Sequence, residues 1–343
     1  YYNISSRNLQ NISCEKSASR CIIKKDYMLK HLKNRNDSFQ ACGRMPTAGQ
    51  LQIIMVRVCG DRGSKMIGDL HCHTRMSDGA LGVDDLILYA RRGGLDFVAV
   101  TDHDTMAGVR RAEQLGRRFG IGVIGGAEFS AWDSARGRKV HLLCLLPKRP
   151  DRLEGTFRRT LEGRDRAMRE SMKKVMRFFP VTEEHILRHA QGAAAVYSVH
   201  IMAALRDLGY TESLYGDLYR ELLLGPDGSC FVRQEYPDVH EIAGLIRSAG
   251  GICILAHPSS YDSIDLMQEL AENGEIDGVE RYHPRVKEED IPVIDAVVGQ
   301  YQLIPTGGTD FHGGNTRHPS PLGSCLTMQE PLERLFRLSK SRN

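Results

Sequence analysis

The sequence predicts an α/β fold of about seven β/α units in a parallel arrangement, interrupted once by a helical insertion. Three observations predict it. From Met66 onward, short apolar runs of strand length alternate with longer stretches whose apolar residues recur at helical spacing. The rhythm breaks between about 150 and 240, where only helical spacing is found. Nearly every apolar run ends in a cluster of His, Asp or Glu, and it is at the C-terminal ends of strands that α/β barrels gather their functional side chains.

Taken in order, Met66, Ile67 and Gly68 read as a short strand entering a tight turn. The stretch that follows, 69–79 (DLHCHTRMSDG), carries His71 and His73 two residues apart. On a strand such residues point to one side, so two imidazoles can share a metal ion, with Asp78 close enough to add a carboxylate. The segment 83–93 has the apolar spacing and glycine stop of a helix. The run 95–101 reads as a buried strand ending in Asp102, His103 and Asp104, and 105–120 as a helix with Thr105 as its N-cap. Strands are expected at 121–129, ending in Glu128 and Ser130, and at 140–146, with His141 near its start. A long basic amphipathic helix is expected over 152–179, followed by shorter helical stretches that include His200 to Leu205. The alternation then resumes. Helices are expected at 240–250, 263–273 and 288–298. Between and after them come strands ending in His257-Pro258, in His283-Pro284 and in 307–313 (GGTDFHG).

With 343 residues, 41% hydrophobic and 26% charged, the chain suits one large domain carrying an insertion. The net charge of +3 hides an asymmetry: residues 1–65 carry +8 and the remainder −5. Bulk charge therefore gives no argument for non-specific nucleic-acid binding. Residues 1–65 are rich in Asn, Ser, Lys and Cys without sustained periodicity. They are expected to be a disordered or non-native N-terminal extension, with the domain spanning 66–343. The nine cysteines are scattered with no Cys-x-x-Cys pair, so a disulfide framework is not expected and a reducing cytoplasm is. No apolar run approaches the length of a membrane span, and no secretory leader is expected.

Nine candidate metal donors emerge: His71, His73, Asp78, His103, Glu128, His141, His257, Asp310 and His312. Mixed imidazole and carboxylate donors suit Mn, Fe or Zn. Each fragment alone has an ordinary structural explanation, such as a packed strand-end histidine or a solvated carboxylate. Six such fragments on successive strands point to a metal cluster. Nine donors exceed the need of one ion, so two to three divalent ions sharing a carboxylate are expected, with Glu128 the best bridge.

These motifs resemble those of the PHP (polymerase and histidinol phosphatase) superfamily. The resemblance rests on His71-Cys-His73 with Ser77-Asp78-Gly79, Thr101-Asp102-His103-Asp104, Gly126-Ala-Glu128, Ala256-His257-Pro258 and Gly308-Thr-Asp310-Phe-His312. It covers about 66–325. It implies a distorted (β/α)7 TIM-like barrel with the helical insertion after the fourth strand. It also implies one ion on His71, His73, Glu128 and Asp310, a second on Glu128, His141 and His257, and a third on Asp78, His103 and His312. Within the superfamily the layout is similar to bacterial phosphoesterases acting on nucleotide 3′,5′-bisphosphates and RNA 5′ ends. Their Gly-Arg-Pro-His element is matched here by Tyr197-Ser-Val-His200, which lacks the arginine and the proline.

The expected function is metal-dependent hydrolysis of a small phosphate ester, a nucleotide phosphate or RNA 5′ end, by a hydroxide bridging two ions. His283 and Ser130 are the candidate catalytic side chains, as an acid or substrate contact and as a hydrogen-bond donor to phosphate. Arg164, Arg166 and His200 are the candidate substrate contacts. No protein or membrane partner is expected. The alternatives are a histidinol-phosphate-type phosphatase, a hydrolase acting on a carbonyl centre, and a non-catalytic metal-binding module.

Overall fold

Eight strands form one sheet in the order β7-β6-β5-β4-β3-β2-β1-β8, described here from a computed structural model over residues 66–342. The expected extension over 1–65 lies outside the described residues. The strands are β1 (Ile67–Asp69), β2 (Phe97–Val100), β3 (Gly122–Asp133), β4 (Arg138–Leu145), β5 (Ile252–Leu255), β6 (Gly278–Tyr282), β7 (Ile304–Gly307) and β8 (Thr327–Met328). The sheet nearly closes on itself beyond β1 and β7. Leu70 N–H donates to Gly307 O (3.1 Å), Phe311 N–H to His71 O (3.1 Å) and His73 N–H to Phe311 O (2.8 Å). The predicted TIM-like α/β barrel is the observed architecture, with one difference in direction among the predicted strands.

That difference is β4, which runs antiparallel to both β3 and β5, while β8 runs antiparallel to β1. The all-parallel expectation fails there because no helix separates β3 from β4. They form a hairpin paired from Gly126↔Leu145 to Asp133↔Arg138. That pairing also carries β3 four residues past its expected end at Phe129. The reversal accounts for His141, which lies near the start of its strand. On an antiparallel strand the start lies at the same mouth as the ends of its parallel neighbours.

Helices α1 (Val83–Arg92) and α2 (Val109–Phe119) follow β1 and β2. The second begins four residues later than expected. The Thr105 hydroxyl accepts from the Ala107 N–H (3.2 Å) and closes a local turn rather than capping the helix. The insertion between β4 and β5 holds α3 (Asp151–Val175), α4 (Glu183–His189), α5 (Ser198–Asp207) and α6 (Asp217–Leu222). It has an apolar cluster of its own, including Met172, Val175, Ile186, Val196, Ile201, Met202 and Leu205. Helices α7 (Val239–Ser248), α8 (Ile264–Glu272) and α9 (Ile291–Tyr301) restore the β/α alternation, and α10 (Gln329–Ser341) ends the domain.

Leu70, Phe97, Ile124, Leu143, Ile252, Ile254 and Ile304 pack with Leu332 and Leu335 of α10 into one buried cluster. Each such side chain contributes roughly 1.5–3 kcal/mol by leaving water. That packing sets the strand register, and through it the positions of the polar residues at the strand ends. Among the described residues, no helix is long and apolar enough to cross a membrane.

Candidate metal centre

All nine predicted donors converge at one mouth of the barrel, with Glu128 at their centre. Its Oε2 lies 3.2 Å from His71 Nε2, 3.2 Å from His73 Nε2 and 3.0 Å from His103 Nδ1. Its Oε1 lies 2.6 Å from His141 Nδ1 and 2.9 Å from His257 Nε2. Asp310 Oδ1 is 3.2 Å from His73 Nε2 and 3.5 Å from His71 Nε2. Asp78 anchors a looser group. Its Oδ1 is 3.4 Å from His312 Nε2 and its Oδ2 is 3.8 Å from His103 Nε2. His71, His73, Glu128 and Asp310 form one candidate ion-holding group, His73, Asp78, His103 and His312 another, and His103, Glu128 and His141 a third.

The chemistry of these atoms fits cations. Glu280 accepts from His71 Nδ1 (2.9 Å), which keeps a proton on that nitrogen, so that in the neutral ring that a cation would select, the lone pair is on Nε2. That lone pair faces His73 Nε2 at 3.1 Å and two carboxylate oxygens. At most one proton can lie between the two imidazoles, so lone pairs converge with too few hydrogens to share. Donor atoms bound at about 2.1 Å stand roughly 3.0–3.4 Å apart around a four- to six-coordinate ion, close to the separations here. Buried His73 Nδ1, Asp78 Oδ1, His103 Nδ1, His141 Nε2 and His257 Nδ1 also lack hydrogen-bond partners among the described residues. His103 Nδ1 approaches Glu128 without the alignment of a hydrogen bond.

The sequence relationships agree with this geometry. The PHP domain family profile matches residues 69–223. A phosphoribosyl 1,2-cyclic phosphate 1,2-diphosphodiesterase of Eggerthella lenta is 36% identical over 256 residues, 74% of this chain and 97% of the relative. This chain belongs to the PHP domain family. A 5′-3′ exoribonuclease of Haemophilus influenzae is 32% identical over 57% of this chain and 69% of its own length. A Bifidobacterium adolescentis structure, described as a candidate metal-dependent phosphoesterase, superposes with a TM-score of 0.73 at 26% identity. The match covers 79% of this chain and 96% of that one. The PHP profile ends inside the insertion, so His257, Asp310 and His312 lie beyond it.

Backbone geometry holds the PHP donors in place. His257 (φ 28°) and Asp310 (φ 52°) both lie in the left-handed region, which costs a non-glycine residue of order 1–3 kcal/mol. The cost is met by anchoring. The His257 N–H donates to Glu280 Oε2 (2.8 Å), and the neighbouring Thr309 donates through N–H (2.9 Å) and hydroxyl (2.5 Å) to buried Asp69. Gly308 is required for close approach, since a Cβ there would lie 2.4 Å from His71 Cβ and 2.5 Å from Glu280 Oε1.

Without cations, the electrostatics split the imidazoles. Burial opposes charge on His71, but Glu280, Glu128 and Asp310 outweigh it and hold its pKa well above the usual value. His73 rises to about 10, burial again being overcome, here by Asp310 and Glu128. Burial wins at His141, which falls to about 3, and at His103 and His257, which also fall. Burial likewise opposes charge on Glu128, yet His141, His71 and His103 hold its pKa well below the carboxylate range.

The remaining predicted residues divide. His283 is buried at the mouth. Its Nδ1 accepts the Arg285 N–H (3.1 Å), so its Nε2 carries the proton, 3.6 Å from Asp310 Oδ2. The Ser130 hydroxyl accepts from Arg164 (2.9 Å), and its N–H donates to Asp104 Oδ1 (2.9 Å). Arg164 differs from an open phosphate clamp. It is buried, donates to Asp104 Oδ2 (2.7 Å), and stacks over Tyr197 at 4.7 Å. Arg166 is exposed and lines a cleft of about 770 Å³ that contains none of the nine donors. His200 is buried with Nδ1 accepting the Tyr197 N–H (3.1 Å). Burial lowers its pKa to about 4, and its role here is to cap α5.

Two residues are given no role by the sequence. Glu280 is fully buried and braces both His71 and His257. The available signal was an acidic residue inside an apolar strand (GVERY) just before His283-Pro284. Arg285 pairs with Asp310 Oδ2 at the solvent side of the donors. Only its place after that Pro could have suggested it.

Proposed function

We propose that this PHP-domain phosphoesterase hydrolyses a phosphate ester of ribose, in a small nucleotide-like molecule or at an RNA 5′ end. The observation that carries the reading is the five imidazoles gathered on Glu128, with Asp310 and Asp78 beside them. The substrate class is supported by the shared chemistry in the names of its relatives, one a ribose cyclic phosphate diphosphodiesterase and one an exoribonuclease.

The proposed complement is two to three Mn, Fe or Zn ions. The first would be held by His71, His73, Glu128 and Asp310, the second by Glu128, His141 and His257, and the third by Asp78, His103 and His312. When bound, such ions lower the pKa of a water and neutralise phosphate oxygens as charge develops. The chain's own residues do the positioning. Glu280 keeps the proton of His71 on Nδ1 and its lone pair on Nε2. His283 holds a proton at Nε2 beside Asp310, and we assign that N–H a hydrogen bond to a phosphate oxygen of the substrate. Arg164 buttresses Ser130, whose hydroxyl proton remains to be donated to a phosphate oxygen.

A cytoplasmic location is part of the same reading. It is supported by the scattered cysteines, of which the five among the described residues are free. The test is a screen of the metal-reconstituted protein against phosphomonoesters, nucleoside bisphosphates, ribose cyclic phosphates, 5′-phosphorylated RNAs, and amide and lactone substrates. Turnover of ribose phosphoesters, lost on chelation, is expected. Turnover confined to amides or lactones would refute the reading.

A further inference from the structure

We propose that Arg285 contacts the substrate directly, gripping the phosphate oxygens turned away from the metal donors. This rests on the phosphoesterase reading above. Arg285 follows β6 and the His283-Pro284 turn, and its own N–H is bound to His283 Nδ1 (3.1 Å), which ties the turn to that buried imidazole. Its Nη2 donates to Asp310 Oδ2. The opposite oxygen of the same carboxylate faces His73 and His71 at 3.2 and 3.5 Å. Asp310 thus divides its two oxygens between the donor cluster and the guanidinium.

The Arg285 side chain is 56% exposed, and apart from the Nη2 bond to Asp310 the N–H groups of its fork are open to solvent beside the donors. Among the described residues, it is the one lysine or arginine ion-paired with any of the nine donors. The neighbouring cations are placed differently. Arg164 is buried and committed to Asp104 and Ser130. Lys139 stacks over the rings of Tyr236 and Tyr261, at 5.2 and 5.9 Å. A planar fork fixed on one side by a carboxylate matches two oxygens of a phosphate on the other. The proposed ligand is therefore a phosphate whose oxygens are shared between the ions and this guanidinium.

The test compares Arg285→Ala, Arg285→Lys and the wild type, each reconstituted with Mn. Arg111→Ala serves as a charge-loss control, because Arg111 pairs with Asp84 across exposed helix faces. Metal affinity, the Kd for inorganic phosphate by calorimetry, and kcat and KM on the best ribose phosphoester are measured. In Arg285→Ala, phosphate Kd and KM should rise at least about tenfold, as expected for losing a charged hydrogen-bond pair. Its kcat should change less than about threefold, the signature of lost uniform binding, and its metal affinity should not change. Lysine should restore part of the loss, since charge returns without the fork. Phosphate binding and KM in Arg285→Ala equal to those of Arg111→Ala would overturn the proposal. So would loss of metal in Arg285→Ala, which would make Arg285 a positioning residue for Asp310. A wild type that neither binds phosphate nor cleaves any phosphoester would overturn the phosphoesterase reading itself, a separate and recognisable outcome.

Discussion

Replacing Glu280 with Gln tests how the donor cluster is held. The side chain keeps its shape but loses one acceptor. At present one oxygen accepts from His71 Nδ1 (2.9 Å) and the other from the His257 N–H (2.8 Å). A Gln can keep its oxygen on only one of them. If the oxygen stays on His257, the new NH2 faces His71 Nδ1 and drives the ring proton to Nε2, removing a metal donor. If it turns to His71, the buried N–H of strained His257 loses its acceptor. Either outcome forfeits a charge-assisted hydrogen bond of about 1.5–3 kcal/mol. Losing such a brace behind a ligating imidazole costs about 10–100-fold in metal affinity. The assay is Mn and Zn titration of chelator-stripped protein, with the melting temperature followed in parallel. A Glu280→Gln protein that melts like wild type and binds metal within twofold of it would refute the reasoning.

Three further outcomes follow from the same structure. Arg164→Ala leaves the buried Asp104 carboxylate without its cation, which should cost about 3–5 kcal/mol in a denaturant titration; a loss below 1 kcal/mol by that order-of-magnitude scale would contradict the account. Gly308→Ala places a methyl against His71 and Glu280, and should cost about 1–3 kcal/mol while reducing bound metal, both readable from one reconstituted sample. His240, which is not among the nine donors, offers a pH test. Burial opposes its charge, but Glu275, at 2.7 Å, and nearby Asp238 and Glu269 raise its pKa. Its contribution is therefore complete below the unfolded value of about 6.5 and fades as pH climbs through the raised folded value. With its side chain 36% exposed, the pair is worth under about 1 kcal/mol. His240→Gln should lower the melting temperature at acidic pH and leave it unchanged on the alkaline side; an effect growing with pH would contradict the sign.

The strand-end histidines and carboxylates were legible because each sits in a short local motif, such as His71-Cys-His73 or Asp310-Phe-His312. The barrel was legible from the alternation of short apolar runs and helical spacing. The direction of β4 was not, because an apolar run such as Val140 to Leu145 has no polarity of its own. Its antiparallel course is set by the short link to β3. The role of Glu280 was not legible because a buried brace is defined by its partners, which lie 23 and 209 residues away. Arg164 was noticed for its charge, but only the packing of α3 against β3 and Tyr197 shows that the charge is used internally.

Anomalous diffraction from crystals grown with Mn tests the central claim most directly. Two or three peaks are predicted, with Glu128 within bonding distance of at least two and Asp310 and Asp78 each beside one. No peak near Glu128, or a single ion held elsewhere on the chain, would contradict it.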